Sequence, residues 1–226
     1  TPWSNDPVCD PPGEIIYLRD DDTGEVWTPT TLPIRSEAPY IVKHGQGYTT
    51  FEHDSHGIEL TLTLFVPKND PVKISILKLK NLTSRKRRIS VTSYTELVLG
   101  SQREKTAPYL VCDIDQDSGA IFARNPHDNE FSTKVAFTDI SSVERTFTCS
   151  RKEFLGRNGN YAMPAALKRD GLSRKRGTGQ DPCAVLQTSI ELAAGEELEM
   201  SVLLGQTESA ESARELTLHY RDLKTV

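Results

Sequence analysis

The groups in this chain that could do chemistry are few, and each is incomplete. Acid–base cleavage of an acetal needs two carboxylates around one bond, one with a raised pKa. The densest acidic run is Asp20-Asp21-Asp22, followed by Thr23-Gly24. Glycine there supplies the positive φ of a tight turn, so the run reads as a solvent-exposed hairpin turn. His44, His53 and His56 are neighbours in sequence, and His53-Asp54-Ser55-His56 has donor types that bind metal. The run flanks a turn ending at Gly57 and no second cluster completes a ligand set, so these read as surface or packing histidines. Gly177-Thr178-Gly179 lacks the Lys-Ser/Thr ending of a phosphate loop, and no G-x-S-x-G elbow occurs. The expectation is no catalytic residue, no metal and no cofactor within the chain.

Charge and cysteine usage narrow the field further. The 226 residues carry a net charge of −5, which argues against a nucleic-acid partner. Against that background the basic stretch from Lys168-Arg169 to Arg174-Lys175-Arg176 reads as a solvated loop, with a phosphate-facing loop as the sharper alternative. Four cysteines, Cys9, Cys112, Cys149 and Cys183, form no C-x-x-C pair and match no zinc spacing. They read as free thiols in a reducing compartment, Cys112 and Cys183 as core residues. Trp3, Trp27, Tyr40, Tyr48 and Phe51 concentrate early in the chain. They are either core aromatics, the preferred reading, or a platform for sugar rings.

The elements that must position these residues are strands. Ile58 to Val66 alternates, with Ile58, Leu60, Leu62, Leu64 and Val66 on one face and Glu59, Thr61 and Thr63 on the other. Val72 to Ile76 starts a second alternation whose phase changes at Leu77-Lys78-Leu79, which predicts a bulge. Asn81 to Lys86 reads as a hairpin loop, with a long strand from Arg88 to Leu99 returning beside it. Tyr109–Ile114 and Ala120–Ala123 read as a hairpin around Asp115–Gly119. Further strands are predicted at Lys134–Thr138, Thr146–Cys149, Val185–Leu192 and Glu199–Leu204, the last two linked by Ala194-Gly195-Glu196. This cadence predicts a sandwich or barrel rather than βαβ units. Glu153 to Pro182 is glycine-rich and irregular, the kind of long loop that carries function. Helix signal is confined to the end, where Ser209 is a candidate N-cap and Ala213, Leu216, Tyr220 and Leu223 recur at helical spacing. That apolar stripe needs a partner, either this sandwich or another domain. No apolar run approaches the ~18 residues of a membrane span.

Many short strings, in order along essentially the whole chain, resemble the β-sandwich domain of glycoside hydrolase family 94, the disaccharide phosphorylases. They include Pro2-Trp3-Ser4, Tyr17-Leu18-Arg19-Asp20, Tyr40-Ile41-Val42-Lys43-His44-Gly45, Phe65-Val66-Pro67, Asn81-Leu82-Thr83 and Val98-Leu99-Gly100. Ala123-Arg124-Asn125-Pro126 and Glu153-Phe154-Leu155-Gly156-Arg157-Asn158-Gly159 extend the match. Arg103 to Pro108 and Asp181-Pro182-Cys183-Ala184 resemble the branch found in bacterial cyclic β-1,2-glucan synthases.

The resemblance implies an all-β, mutarotase-like supersandwich of two large antiparallel sheets over residues 1–206. A helical linker over 207–226 would lead toward an (α/α)6 catalytic domain. Family strands ahead of Pro2-Trp3-Ser4 are missing from the chain, which implies a short sheet or an open edge. The family's general acid is an Asp of the helical barrel, so the chain alone is expected to be inactive and to scaffold phosphorolysis or transfer on β-1,2-glucan. Inorganic phosphate would be the parent's co-substrate and attack with inversion. Implied partners are a β-glucan oligosaccharide, the chain's own helical domain and a second copy in a homodimer. The implied location is the cytoplasmic face of the inner membrane, within a membrane-embedded parent. The string Gly156–Tyr161 matches a family loop that reaches toward the active site. On that basis Arg157, Asn158 and Asn160 are the substrate-binding candidates, supplying a cation, donors and acceptors for hydroxyls. The competing reading makes Gly159 a tight turn that the Asn side chains cap. Two other roles compete: an independent carbohydrate-binding module, and a pure interaction or dimerisation domain.

Overall fold

The computed structural model describes residues 12–179 and 181–222, in which the alternating runs form pleated strands. The Pro2-Trp3-Ser4 string, Cys9, Gln180 and Leu223 lie outside those residues. Strands are numbered in chain order. One sheet holds β1 (Glu14–Asp20), β2 (Val26–Trp27), β7 (Arg87–Glu96), β11 (Thr146–Ser150) and β12 (Pro182–Leu192), in the order β11-β12-β7-β1-β2. The other holds β3 (Tyr40–His44), β4 (Tyr48–Ser55), β5 (Ile58–Phe65), β6 (Val72–Asn81), β8 (Val111–Ile114), β9 (Ile121–Arg124), β10 (Val135–Ile140) and β13 (Glu197–Thr207). Its order is β3-β4-β5-β6-β13-β10-β9-β8. Every strand pair is antiparallel. The predicted all-β, two-sheet architecture is therefore the observed one.

The main core lies between the sheets. Leu18, Trp27, Leu60, Leu77, Leu79, Val91 and Leu186 pack there, all almost completely buried. Trp27 and Phe51 thus belong to the interior, as the preferred reading of the aromatics has it, whereas Tyr48 is half exposed. Each fully buried residue of this size contributes roughly 1.5–3 kcal/mol of transfer free energy.

Both sheets also bury apolar residues on their outer faces. On the larger sheet, Ile74, Phe137 and Leu203 are covered by helix α3 (Ala210–Arg221) through Ala213 and Tyr220. Ser209 caps this helix, its hydroxyl accepting from Ser212 N at 3.2 Å. The apolar stripe of the helix therefore packs against this sandwich. On the smaller sheet, Ile15, Tyr17, Tyr94 and Val185 are covered by the stretch after β11, described below.

Three sequence readings change. No bulge interrupts β6, whose pairing with β5 and β13 runs without a register break. The change of phase arises because Ile74 faces α3 while Leu77 and Leu79 face the core, so both sides of one strand are buried. Asn81–Lys86 is not a hairpin loop, because β6 and β7 belong to different sheets. The chain crosses between sheets there, and does so again between β12 and β13. Asn81 fastens the two crossings together: its buried amide donates to Arg85 O at 2.8 Å, Leu192 O at 3.1 Å and Ala193 O at 3.0 Å.

The third change concerns Asp20. Gly24 does make the β1–β2 turn, at φ +77°. Asp20, however, is completely buried rather than exposed. Its carboxylate accepts from Asp22 N at 2.8 Å, Thr23 N at 3.1 Å and Arg87 Nε at 2.7 Å. Burial pushes its pKa up, but those backbone donors and the Arg87 guanidinium outweigh it, so the group stays below the usual carboxylate range.

Helix α3 is also tied down by charge. Arg214 grips Asp115 of the β8–β9 turn with Nε at 3.0 Å and Nη2 at 2.6 Å. This bidentate bond, with help from Ser118, holds the Asp115 pKa down at about 2, against 3.8 for a free aspartate. A depressed carboxylate stabilises the fold above its unfolded pKa and loses that contribution as pH falls through the folded one. Acid denaturation followed by circular dichroism should show stability falling between about pH 4 and pH 2. Arg214→Met should lower stability at pH 7 and flatten the fall in that window.

Candidate functional site

The glycine-rich stretch after β11 is folded rather than irregular. Ser150 caps the short helix α2 (Arg151–Leu155), its hydroxyl accepting from Glu153 N at 3.3 Å. A 3-10 turn follows at Ala165–Lys168. Phe154, Leu155, Ala166, Leu167 and Leu172 form a second core with Ile15, Tyr17, Tyr94 and Val185. Phe154 stacks on Tyr94 with ring centroids 5.2 Å apart. The apolar residues of the stretch are thus its anchor to the sheet.

Between α2 and the 3-10 turn the chain loops outward as Gly156–Pro164, and Tyr161 is the post that holds this loop. Its hydroxyl donates to Glu96 Oε2 at 2.8 Å and accepts from Arg151 Nε at 3.2 Å and Nη2 at 3.1 Å. Its own carbonyl accepts from Tyr17 Oη at 2.8 Å. Glu96, at the end of β7, is almost buried and pairs on its other side with Arg103 Nε at 2.9 Å. Arg103 opens helix α1 (Arg103–Thr106) and also contacts Asp181, which lies 3.4 Å from Arg151 Nη1. Two guanidinium groups, two carboxylates and a phenol therefore close a circuit joining β7, α1, α2, the loop and the start of β12. Burial pushes the phenols of Tyr17, Tyr94 and Tyr161 up, so all three stay protonated donors.

The candidate residues divide on this frame. Arg157 and Asn158 stand exposed at the tip of the loop, in its turn. Asn160 is a turn residue: its Oδ1 accepts from Ala162 N and Met163 N, both at 2.9 Å. Gly159 is required at its position, because a Cβ there would lie 1.6 Å from Leu155 O. The turn-and-cap reading thus describes Gly159 and Asn160, while Arg157 and Asn158 are exposed side chains of the turn.

The same end of the sandwich carries a cavity. The β7–β8 connection and the stretch after β9 enclose about 600 Å3 lined by Leu99, Asn125, Asn129, Glu130, Phe131 and Gln206. Its wall is conformationally specified. Leu99 sits at φ +43°, a costly region for a branched side chain. Asn125 Nδ2 fastens its carbonyl at 2.9 Å. Asp128 Oδ1 accepts from Glu130 N at 2.9 Å and Phe131 N at 2.8 Å, which fixes the backbone that presents the half-exposed Phe131 ring. An aromatic face beside amides and a carboxylate offers a ligand one apolar surface and several polar partners.

The remaining sequence candidates are structural. His53 is buried, stacks on Tyr40 at 3.8 Å and donates from Nδ1 to Pro39 O at 3.0 Å. His56 stacks on Trp27 at 4.7 Å. No group of metal-binding residues gathers among the described residues. Arg169 pairs with Glu153 and Arg176 with Asp113, so part of the basic stretch is neutralised. Sequence reading missed Glu96, Arg151 and Tyr161 as a unit. Tyr161 ends the string Gly156–Tyr161 that matches the family loop, and Arg103 and Asp181, the ionic neighbours of Glu96 and Arg151, stand in other strings that carry the resemblance.

Two unequal antiparallel sheets, with a helix over one outer face and a folded loop over the other, define a supersandwich domain. The chain belongs to the family Glycosyl hydrolase 94, supersandwich domain, whose profile matches residues 1–223. It is 33% identical over 216 residues to the cyclic beta-(1,2)-glucan synthase NdvB of Rhizobium meliloti (strain 1021), a match covering 95% of this chain and 8% of that protein. It is 31% identical to solabiose phosphorylase of Paenibacillus borealis, covering 89% of this chain and 27% of that one. The chain thus spans under a third of each of these relatives. Among solved structures, a bacterial glucoamylase complexed with acarbose superposes with a TM-score of 0.58 at 11% identity, over 92% of this chain and 28% of that one. That likeness is one of fold.

Tyr161→Phe removes the proton that Glu96 accepts and the acceptor that Arg151 uses. Leaving buried partners unpaired costs about 1–3 kcal/mol. Urea denaturation should show the unfolding free energy falling by that amount, seen as a lower midpoint with an unchanged slope.

Proposed function

We propose that this domain is the non-catalytic, carbohydrate-facing scaffold of a longer enzyme that processes β-1,2-glucan, similar to cyclic β-1,2-glucan synthase. The general acid sits in an (α/α)6 catalytic domain elsewhere in that enzyme, and inorganic phosphate is its co-substrate. The supersandwich buttresses the helical domain, contributes to a homodimer and lends a loop to the acceptor side of the glucan site. The enzyme works at the cytoplasmic face of the inner membrane, and no described helix of this domain is long and apolar enough to cross a membrane.

One observation carries this reading. The circuit around Glu96 holds Arg157 and Asn158 outward at the end of the sandwich where the β7–β8 connection lines the Phe131 cavity. Arg157 supplies a charged donor to a glucan hydroxyl or to phosphate, and Asn158 an uncharged donor–acceptor pair. A charged hydrogen bond of this kind is worth about 1.5–3 kcal/mol, or roughly 10–100-fold.

In the longer enzyme, Arg157→Ala should lower kcat/KM for β-1,2-glucan roughly tenfold or more while the melting temperature stays the same. Unchanged kinetics would remove the loop from the site. The 226-residue chain alone, given β-1,2-glucan and phosphate, should release no glucose 1-phosphate. Calorimetric titration with linear β-1,2-glucan separates the alternatives. Weak binding fits a scaffold that completes its site only with the helical domain, whereas tight binding by the isolated chain would make it a self-sufficient binding module.

A further inference from the structure

Cys112 and Cys149 come from different sheets, β8 and β11, and meet in the main core with their sulfurs 2.7 Å apart. The pairing of β11 with β12 shifts register between Thr148 and Ser150, so the irregularity centres on Cys149. Cys183 is placed differently. It packs in the outer-face core with Tyr94 and Phe154, and its carbonyl lies 3.7 Å from the Cys112 sulfur. All three are free thiols and fully or almost fully buried.

The backbone above the pair is equally specific. β8 is the last strand of the larger sheet and β11 the last of the smaller. The segment Arg174–Gly177 bridges these two edges. Arg174 N donates to Phe147 O at 2.8 Å and Cys149 N to Lys175 O at 2.8 Å, on the β11 side. Gly177 N donates to Cys112 O at 2.7 Å and Cys112 N to Gly177 O at 3.3 Å, on the β8 side. The basic stretch is therefore a strap that closes the open side of the sandwich directly over the two thiols.

We propose that Cys112 and Cys149 form an oxidisable dithiol, a modification site that a peroxide converts into a disulfide stapling the two sheets. One sulfur attacks the peroxide, the O–O bond breaks, and a sulfenic acid and one water result. The second sulfur then attacks the sulfenic sulfur, forms the S–S bond and expels the hydroxyl, which leaves as water with the second thiol's proton. The two thiols lose two electrons and two protons, and the peroxide is reduced to two waters. The separation of the sulfurs is within an ångström of the ~2.05 Å bond. The hydrogen bond to Cys149 and burial both push the Cys112 thiol up, so the closed pair is protonated and slow to react. Opening of the strap therefore controls the rate.

The test is oxidation of the native protein with hydrogen peroxide, then denaturation, alkylation and peptide mapping by mass spectrometry. The expected result is a single bond joining the Cys112 and Cys149 peptides, reversed by dithiothreitol, with Cys183 still alkylated. The oxidised form should melt roughly 5–15 °C higher than the reduced form. Gly177 lies at φ +105°, so Gly177→Ala should loosen the strap and speed bond formation several-fold. Cys183→Ser should leave the bond unchanged. Persistent alkylation of both cysteines, a bond to Cys9 or Cys183, or oxidation that stops at sulfinic acid would each overturn the proposal, and wild-type mapping alone decides among these outcomes.

Discussion

A carboxylate shut away from water must be paired, and Glu96 is such a carboxylate at the end of the central strand β7. It takes an ion pair from Arg103 and a proton from Tyr161. Those demands draw in Arg151 and Asp181, and with them α1, α2 and the start of β12. The loop that carries Arg157 and Asn158 is held in place as a by-product of satisfying one buried charge. Removing a single partner from such a group is far more costly than the net worth of the pair suggests.

The same logic acts at the other end of the molecule. The chain crosses between sheets after β6 and again after β12, and Asn81 spends its amide on both crossings. Arg87 enters β7 by pairing with the buried Asp20 of the β1–β2 turn and donating to His56 O at 2.9 Å. Polar groups of fixed geometry thus specify where the chain changes sheets, while apolar area supplies the stability. The outer faces are finished by different means: one by an ordinary amphipathic helix, the other by a short helix and 3-10 turn whose Phe154 and Leu167 fill the sheet surface.

The fold class was legible in the sequence because alternation is a strong signal, and Ile58–Phe65 became a strand on the face it implied. The terminal helix was legible from its Ser209 cap and its apolar spacing. Sheet membership was not, because a turn between two strands looks the same whether they pair or part, as Asn81–Lys86 shows. Nor was β6, since a strand buried on both sides has no single phase. At the site, the string from Gly156 to Tyr161 located the loop through resemblance, but spacing alone could not separate Asn160, a cap, from Asn158, an exposed side chain. Glu96 lies 65 residues before Tyr161, and only the fold brings it to Tyr161 and Arg151.

The supersandwich is thus a frame in which a few ionic and aromatic contacts convert sheet rigidity into a defined loop. Hydrogen–deuterium exchange on Glu96→Gln tests this most directly, because it reads order residue by residue. The account predicts faster exchange in the amides of 156–163, with those of β6, β10 and β13 unchanged. Unaltered exchange in the loop, or an equal loss of protection across both sheets, would contradict the claim that Glu96 holds the loop in place.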